Sequence, residues 1–171
     1  MVRKFITKAD RLSELIGKFS SWIILVLTGV MVLEVAMRYL LARPTFFAYD
    51  LTWMLYGVYI ALGAAYCHLH KGHVRVDFLY NRLSIKGRAV LEVVLYAIFF
   101  FPLFYVVLRY LTQNLIYSWT SGECTSASTW RPPVYPFKTI IVIGFIILFL
   151  QGIAEFAKNL YFSIRGHSHE H

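Results

Sequence analysis

Several charged and amide side chains of this sequence stand inside long apolar stretches, where they could line a pathway or hold helices together. Glu34 and Arg38 are four residues apart, as are Gln151 and Glu155. Residues four apart lie on one face of a helix, so an acidic and a basic side chain at this spacing can pair. An ionisable group in hydrocarbon costs about 2.5–3.5 kcal/mol on insertion scales, so each one marks either an ion pathway or a structural contact.

The positions of these groups favour the structural interpretation. Most of them lie near the ends of apolar stretches, within reach of a partner of opposite charge. Glu34 can pair with Arg38, and Asp50 could instead meet Arg38 or Arg43 across a short connection. We therefore interpret these residues as contacts within a helix bundle or toward a partner chain.

Three histidines, His68, His70 and His73, are spaced as H-x-H-x-x-H, and neutral imidazoles are good metal ligands. A haem would need ligands on facing helices, and no other apolar stretch contains a histidine. The two cysteines, Cys67 and Cys124, form no C-x-x-C motif. The sequence therefore predicts no cofactor and no enzyme activity. A membrane redox subunit that binds haem or metal through the histidines is the alternative.

The composition is that of an integral membrane protein. Of the 171 residues, 58% are hydrophobic and 15% are charged, whereas soluble domains have roughly 45–50% and about 25%. The mean hydropathy is +0.59. The net charge of +8 is divided among short clusters between the apolar stretches, as in the loops of membrane proteins. No groove-reading motif accompanies these charges, so we expect no nucleic-acid partner.

Four apolar segments have the length that crosses a bilayer. A hydrocarbon core of about 30 Å requires about 20 residues of helix. The predicted spans cover about 19–41, 48–68, 89–111 and 139–160. The expected fold class is all-α integral membrane, with residues 1–171 forming a single four-helix membrane domain.

The segments between the spans have characters of their own. Apolar residues recur at helical spacing in about 3–18 and 74–88, with basic residues between them, which predicts two amphipathic helices lying at the membrane interface. The outer loop, about 112–138, is rich in Ser and Thr and ends in a proline-rich run. Pro102 lacks a backbone donor and predicts a bend in the third span.

The distribution of Lys and Arg predicts the orientation. Twelve of them lie in the N-terminal segment, in the connection after the second span and at the C-terminal end, against three on the other side. Because cytoplasmic loops carry the excess of Lys and Arg, we expect both termini in the cytoplasm. A cleaved signal peptide fits poorly, since the first apolar run is too long and contains Glu34 and Arg38.

Residues 34–83 contain Arg38-Tyr39 late in the first predicted span, Asp50 at the start of the second, and the run GHVRVD after it. With these features they resemble a known family, the DctQ-like small membrane subunits of tripartite ATP-independent periplasmic (TRAP) transporters. That family has Arg-Tyr late in the first span, an acidic residue at the start of the second, and G-H-[IV]-x-[VI]-D after it. The matching residues here are Arg38, Tyr39, Asp50 and the run from Gly72 to Asp77, GHVRVD. The chain departs from the family in having Tyr49-Asp50 where an acidic pair is usual, with Phe46 and Phe47 near the usual Trp.

The resemblance implies a scaffold subunit in a bacterial inner membrane, together with a large multi-span subunit and a periplasmic binding protein. The transporter would import small organic anions, such as carboxylates, sialic acids or sulfonates, by sodium symport. The residues expected to have structural or interface roles are Glu34, Arg38, Tyr39, Asp50, His73 and Asp77. A small homo-oligomeric transporter acting alone is a further alternative, which would require the charged residues of the spans to line a pathway.

Overall fold

The structure is a computed structural model that describes residues 2–70, 72 and 84–165, with side chains described for 4–70, 72, 84 and 87–161. Within these ranges the regular structure is helical. The helices are α1 (Val2–Tyr39), α2 (Ala48–Leu69), α3 (Ile85–Leu95), a π-helical segment (Tyr96–Phe100), α4 (Phe101–Ser121) and α5 (Tyr135–Arg165). The end of the bundle with connections 40–47 and 122–134 is called the loop end, and the opposite end the terminal end.

Three helices in the described part of the chain are long and apolar enough to cross a membrane. They are Lys4–Tyr39, Gly87–Ser121 and Tyr135–Tyr161, with hydropathies of 2.0, 2.3 and 2.4 over their most apolar stretches. The second predicted span is present as α2, whose 22 residues have the necessary length. It is not among the three candidate spans, so the prediction of four spans is met in part.

The first helix differs from its prediction. Residues 3–18 are helical, but they continue without a break into the first span as one helix of 38 residues. One side of this N-terminal part is buried against the bundle at Ala9 and Ser13. Because this side packs against neighbouring helices, the segment extends α1 and is not a separate helix.

The third span is longer than predicted, since one helix runs from Gly87 to Ser121. The non-helical connection to α5 is therefore limited to 122–134, and the outer loop is fourteen residues shorter than predicted, ten at its start and four at its end. The π-helical segment Tyr96–Phe100 ends two residues before Pro102. A proline cannot donate to the carbonyl four residues earlier, and a wider turn at this point accommodates the missing hydrogen bond.

The helix α5 lies at the centre of the packing. In its most apolar stretch 39% of the residues are buried within the chain, against 6% for α1 and none for the helix Gly87–Ser121. Small residues of α2, Ala61 and Ala65, are buried at 4% and 0% exposure. An added Cβ at Gly144 of α5 would lie 2.7 Å from the carbonyl oxygen of Ala61. Small residues therefore allow the backbones of α2 and α5 to approach closely.

The second predicted amphipathic helix, about 74–88, lies largely outside the described residues. So do His73 and Asp77. The last residues of the predicted helix 74–88 belong to α3. This helix begins after Ser84, and the hydroxyl of Ser84 accepts from the amide of Gly87 at 3.2 Å.

Candidate functional site at the two ends of the bundle

The carboxylate of Asp50 is the centre of a buried cluster at the loop end. Asp50 lies in the first turn of α2 and has 0% exposure. Its Oδ1 accepts from the indole nitrogen of Trp53 at 3.1 Å and from the hydroxyl of Thr125 at 3.2 Å. The hydroxyl of Ser128 donates to its Oδ2. One carboxylate thus accepts hydrogen bonds both from its own helix and from the connection 122–134, and links the two.

The connection 122–134 is shaped by its own hydrogen bonds as well. Gly122 ends α4 with a φ of 62°, a left-handed conformation that glycine adopts without steric cost. The amide of Thr125 donates to the carbonyl of Pro132 at 3.0 Å, which closes the connection on itself. The hydroxyls of Thr125 and Ser128 also accept from the amides of Ala127 and Trp130, both at 3.1 Å. The Ser/Thr residues therefore link the backbone of this connection to Asp50.

A second acidic side chain holds the other connection at this end. Glu34 of α1 accepts from Nε of Arg38 at 3.0 Å and from the backbone amide of Thr45 at 2.9 Å. The hydroxyl of Thr45 also donates to Glu34. The ring of Phe47 packs edge-on against Trp130, with centroids 6.3 Å apart, so the two connections contact each other. Together they form a loop-end platform, comprising residues 40–47 and 122–134.

An ion pair joins the platform to α5. Lys138 in the first turn of α5 donates to the carboxylate of Glu123. The hydrogen bond from Lys138 lowers the pKa of Glu123 below its ordinary value. Close by, the indole of Trp119 donates to the hydroxyl of Thr139 at 3.1 Å and packs on Tyr135.

The lowered pKa of Glu123 predicts a pH dependence. The ion pair stabilises the platform above the carboxyl's unfolded pKa of about 4.3, and the stabilisation is lost as the pH falls through the lower folded value. We expect the fluorescence of the tryptophans to change below about pH 4 in the wild type. The Glu123→Gln variant should lack this component of the change. If the fluorescence of both proteins changed in the same way with falling pH, the change could not be assigned to Glu123.

A separate polar cluster joins α1 to α5 at the terminal end. Asp10 accepts from the amide nitrogen of Gln151 at 2.9 Å and from Lys158 at 3.0 Å. Lys158 also donates to Glu155 at 2.7 Å, and Ser13 donates to Gln151 at 2.8 Å. Gln151 and Ser13 have 0% and 1% exposure. Polar groups buried in this way are stabilising only when they are paired, which is the case here.

The two described histidines of the H-x-H-x-x-H run have different partners. Nε2 of His68 lies 2.8 Å from the hydroxyl of Tyr96, and Nε2 of His70 lies 2.8 Å from Glu14. Over the described ranges, no group of three or more His, Cys, Asp or Glu side chains is arranged to hold a metal ion.

The structure places the predicted site residues unequally. Glu34 and Arg38 pair as expected, and Tyr39 ends α1 with 78% exposure. The expected contact of Asp50 with Arg38 or Arg43 is wrong, because Trp53, Thr125 and Ser128 are its hydrogen-bond partners. The Ser/Thr-rich composition of the outer loop was the signal that could have indicated these partners.

The acidic groups at both ends therefore act as structural hydrogen-bond acceptors. Asp50 and Glu34 shape the platform, and Asp10 joins α1 to α5 through Lys158, which also donates to Glu155 of its own helix. In the low-dielectric interior of a protein, hydrogen-bond networks whose groups all have partners make the packing rigid. The arrangement suits a scaffold better than a path along which an ion would exchange partners.

The chain matches one family model, described as "Tripartite ATP-independent periplasmic transporters, DctQ component", over residues 27–161. No curated protein and no solved structure matches it. The matched range contains the whole loop-end platform with Glu34, Arg38 and Asp50. It begins after Asp10 and Ser13, so these two residues of the terminal-end cluster lie outside the match.

Proposed function

Because the chain belongs to the DctQ family, the small membrane components of TRAP transporters, we propose that it is the scaffold subunit of such a transporter. It forms a heterodimer with a large multi-span membrane subunit, and a periplasmic binding protein delivers the substrate. The observation that carries the proposal is the family match over residues 27–161. As a transporter component, the chain is not expected to be an enzyme.

The packing of the chain supports a stationary role. Asp50 and Gln151, both fully buried, have hydrogen-bond partners from distant parts of the chain. These contacts tie α1 to α5 and α2 to the platform. A subunit that braces a moving partner requires such rigidity, whereas the substrate and sodium sites belong to the large subunit in this proposal.

The loop-end platform is the surface we assign to the binding protein. This assignment requires the loop end to face the periplasm, with both termini cytoplasmic, as the excess of Lys and Arg at the terminal end favours. Arg38, Tyr39 and Asp50 then shape or border the docking surface, with Glu34 holding Arg38. His73 and Asp77 are proposed interface residues on the cytoplasmic side.

The proposed transport reaction is the import of small organic anions, such as carboxylates, sialic acids or sulfonates, by sodium symport across a bacterial inner membrane. Its basis is the family, and no residue of this chain specifies the anion. The binding protein and the large subunit would select it.

A pull-down from native membranes tests the proposal. The tagged chain is purified in a mild detergent, and its co-purifying proteins are identified by mass spectrometry. We expect a stoichiometric, very hydrophobic protein with many spans. Recovery of the chain alone, as a homo-oligomer, would favour a small transporter acting by itself. A Soret band in the absorption spectrum would favour a haem-binding redox subunit.

A further inference from the structure

Two helices have surfaces that the other described residues leave uncovered. In the helix Gly87–Ser121 no residue of the most apolar stretch is buried, and in α1 only 6% are. Large apolar side chains are more than half exposed on both, including Trp22 and Leu25 on α1 and Ile98 and Tyr105 on the other helix. In a membrane each surface must meet either lipid or another protein.

Arg109 distinguishes the two surfaces. It lies in α4, is exposed, and has no hydrogen-bond or ion-pair partner within the described part of the chain. Gln113, one turn further along, is also exposed and lacks a partner among the same residues. Tyr105 and Ile116, which share this face by their three- and four-residue spacing, are 64% and 58% exposed. The face around Arg109 is therefore apolar except for two unpaired polar groups.

The depth of Arg109 follows from contacts near both ends of this helix. Glu92 accepts from Asn159 of α5 near the terminal end, and Trp119 contacts Thr139 and Tyr135 near the loop end. From Glu92 to Trp119 a helix rises about 40 Å, which is the thickness of a bilayer with its headgroups. Arg109 lies about 15 Å below Trp119, a residue type found at the membrane interface. This depth places the guanidinium below the headgroup level.

The exposed face of α1 has no such group. Residues 22–33 contain no charged side chain, and Arg38 is paired with Glu34. A uniformly apolar face is compatible with lipid. An unpaired guanidinium below the headgroup level is not compatible with lipid, because charged side chains within membranes almost always face protein or water and pair with an opposite charge.

We propose that the α4 face of Tyr105, Arg109, Gln113 and Ile116 packs against the large membrane subunit, which supplies a carboxylate to Arg109, and that the exposed face of α1 contacts lipid. The inference rests on the proposed function and adds the face through which the scaffold binds its partner. A lipid phosphate as the counter-ion of Arg109 is the competing occupant.

Site-specific photo-crosslinking tests the orientation in the assembled complex. A photoreactive phenylalanine analogue replaces Tyr105 in one variant and Trp22, 69% exposed on α1, in the matched control. We expect an adduct of the chain with the large subunit from position 105 and none from position 22. Adducts from position 22 and none from position 105 would overturn the proposal.

Substitution of Arg109 tests the ion pair. Relative to the wild type, Arg109→Gln should reduce the large subunit recovered per chain by at least about tenfold, because it removes one partner of a desolvated pair. Arg109→Lys should reduce this recovery less. Arg11→Gln, at an exposed arginine of α1 that lies outside the platform, should leave the recovery unchanged. Full recovery with Arg109→Gln, together with loss of a tightly held phospholipid, would overturn the pairing in favour of lipid. A wild-type chain that recovers no large subunit would overturn the proposed function itself.

Discussion

Replacement of Gly144 by alanine is expected to lower the free energy of unfolding by about 2–3 kcal/mol, the usual result of forcing extra volume into a packed interior. The added Cβ would lie 2.7 Å from the carbonyl oxygen and 2.8 Å from the carbonyl carbon of Ala61. These are backbone atoms of α2, so no side-chain rotation relieves the overlap. The two helices must separate, which also loosens the neighbouring packing at Ala61.

Gly29 provides the matched control for this substitution. It also lies within a helix, but an added Cβ there would meet nothing within 4 Å. Gly29→Ala is therefore expected to be neutral, or to stabilise α1 by up to about 1 kcal/mol through helix propensity. Thermal unfolding of both variants in the same detergent measures the difference. Equal midpoints for the two variants would contradict the close contact between α2 and α5.

Replacement of Asp50 by alanine should have an effect of similar size, about 3 kcal/mol. Hydrogen bonds to a charged group are worth about 1.5–3 kcal/mol each and are not additive. The change would leave the indole of Trp53 and the hydroxyls of Thr125 and Ser128 without their common acceptor. We expect the connection 122–134 to become susceptible to proteolysis while the helices persist.

Two further variants make this expectation specific to the buried carboxylate. Asp50→Asn keeps an acceptor oxygen and should retain part of the stability. Glu14→Gln removes an acid that pairs with Lys18 on the surface, where such pairs contribute little to stability. Proteolysis of 122–134 at the same rate in all three variants and the wild type would show that Asp50 does not hold the platform.

The sequence allowed the family and most of the helices to be predicted, because both depend on local patterns. The apolar segments were long enough to be recognised, and the pair Glu34–Arg38 follows from its spacing. The contact between Asp50 and Thr125 joins residues 75 positions apart. A hydroxyl is one of many possible donors, so the sequence indicated only the nearby arginines, Arg38 and Arg43, as possible partners, and the structure shows other partners.

The helix boundaries were less predictable for a related physical reason. Hydropathy identifies the part of a helix that lies in hydrocarbon, but a helix continues as long as its backbone hydrogen bonds and packing allow. The amphipathic pattern of 3–18 was interpreted as interfacial, although its buried side faces the bundle at Ala9 and Ser13. The polar residues after Arg109 were likewise assigned to a loop, although α4 includes them up to Ser121.

The π-helical segment Tyr96–Phe100 has a consequence for insertions and deletions. A π turn contains one residue more than an α turn, so it behaves as a single-residue insertion that shifts the phase of all later side chains by about 100°. With this shift Arg109 falls on nearly the opposite side of the helix from Glu92, which contacts Asn159 of α5. Deletion of Ala97 would restore a regular helix with the later side chains in the same directions. A chain that is one residue shorter within the π-helical segment can therefore keep the later side chains on the same faces of the helix. A deletion between this segment and Arg109 would instead rotate the arginine away from its present direction.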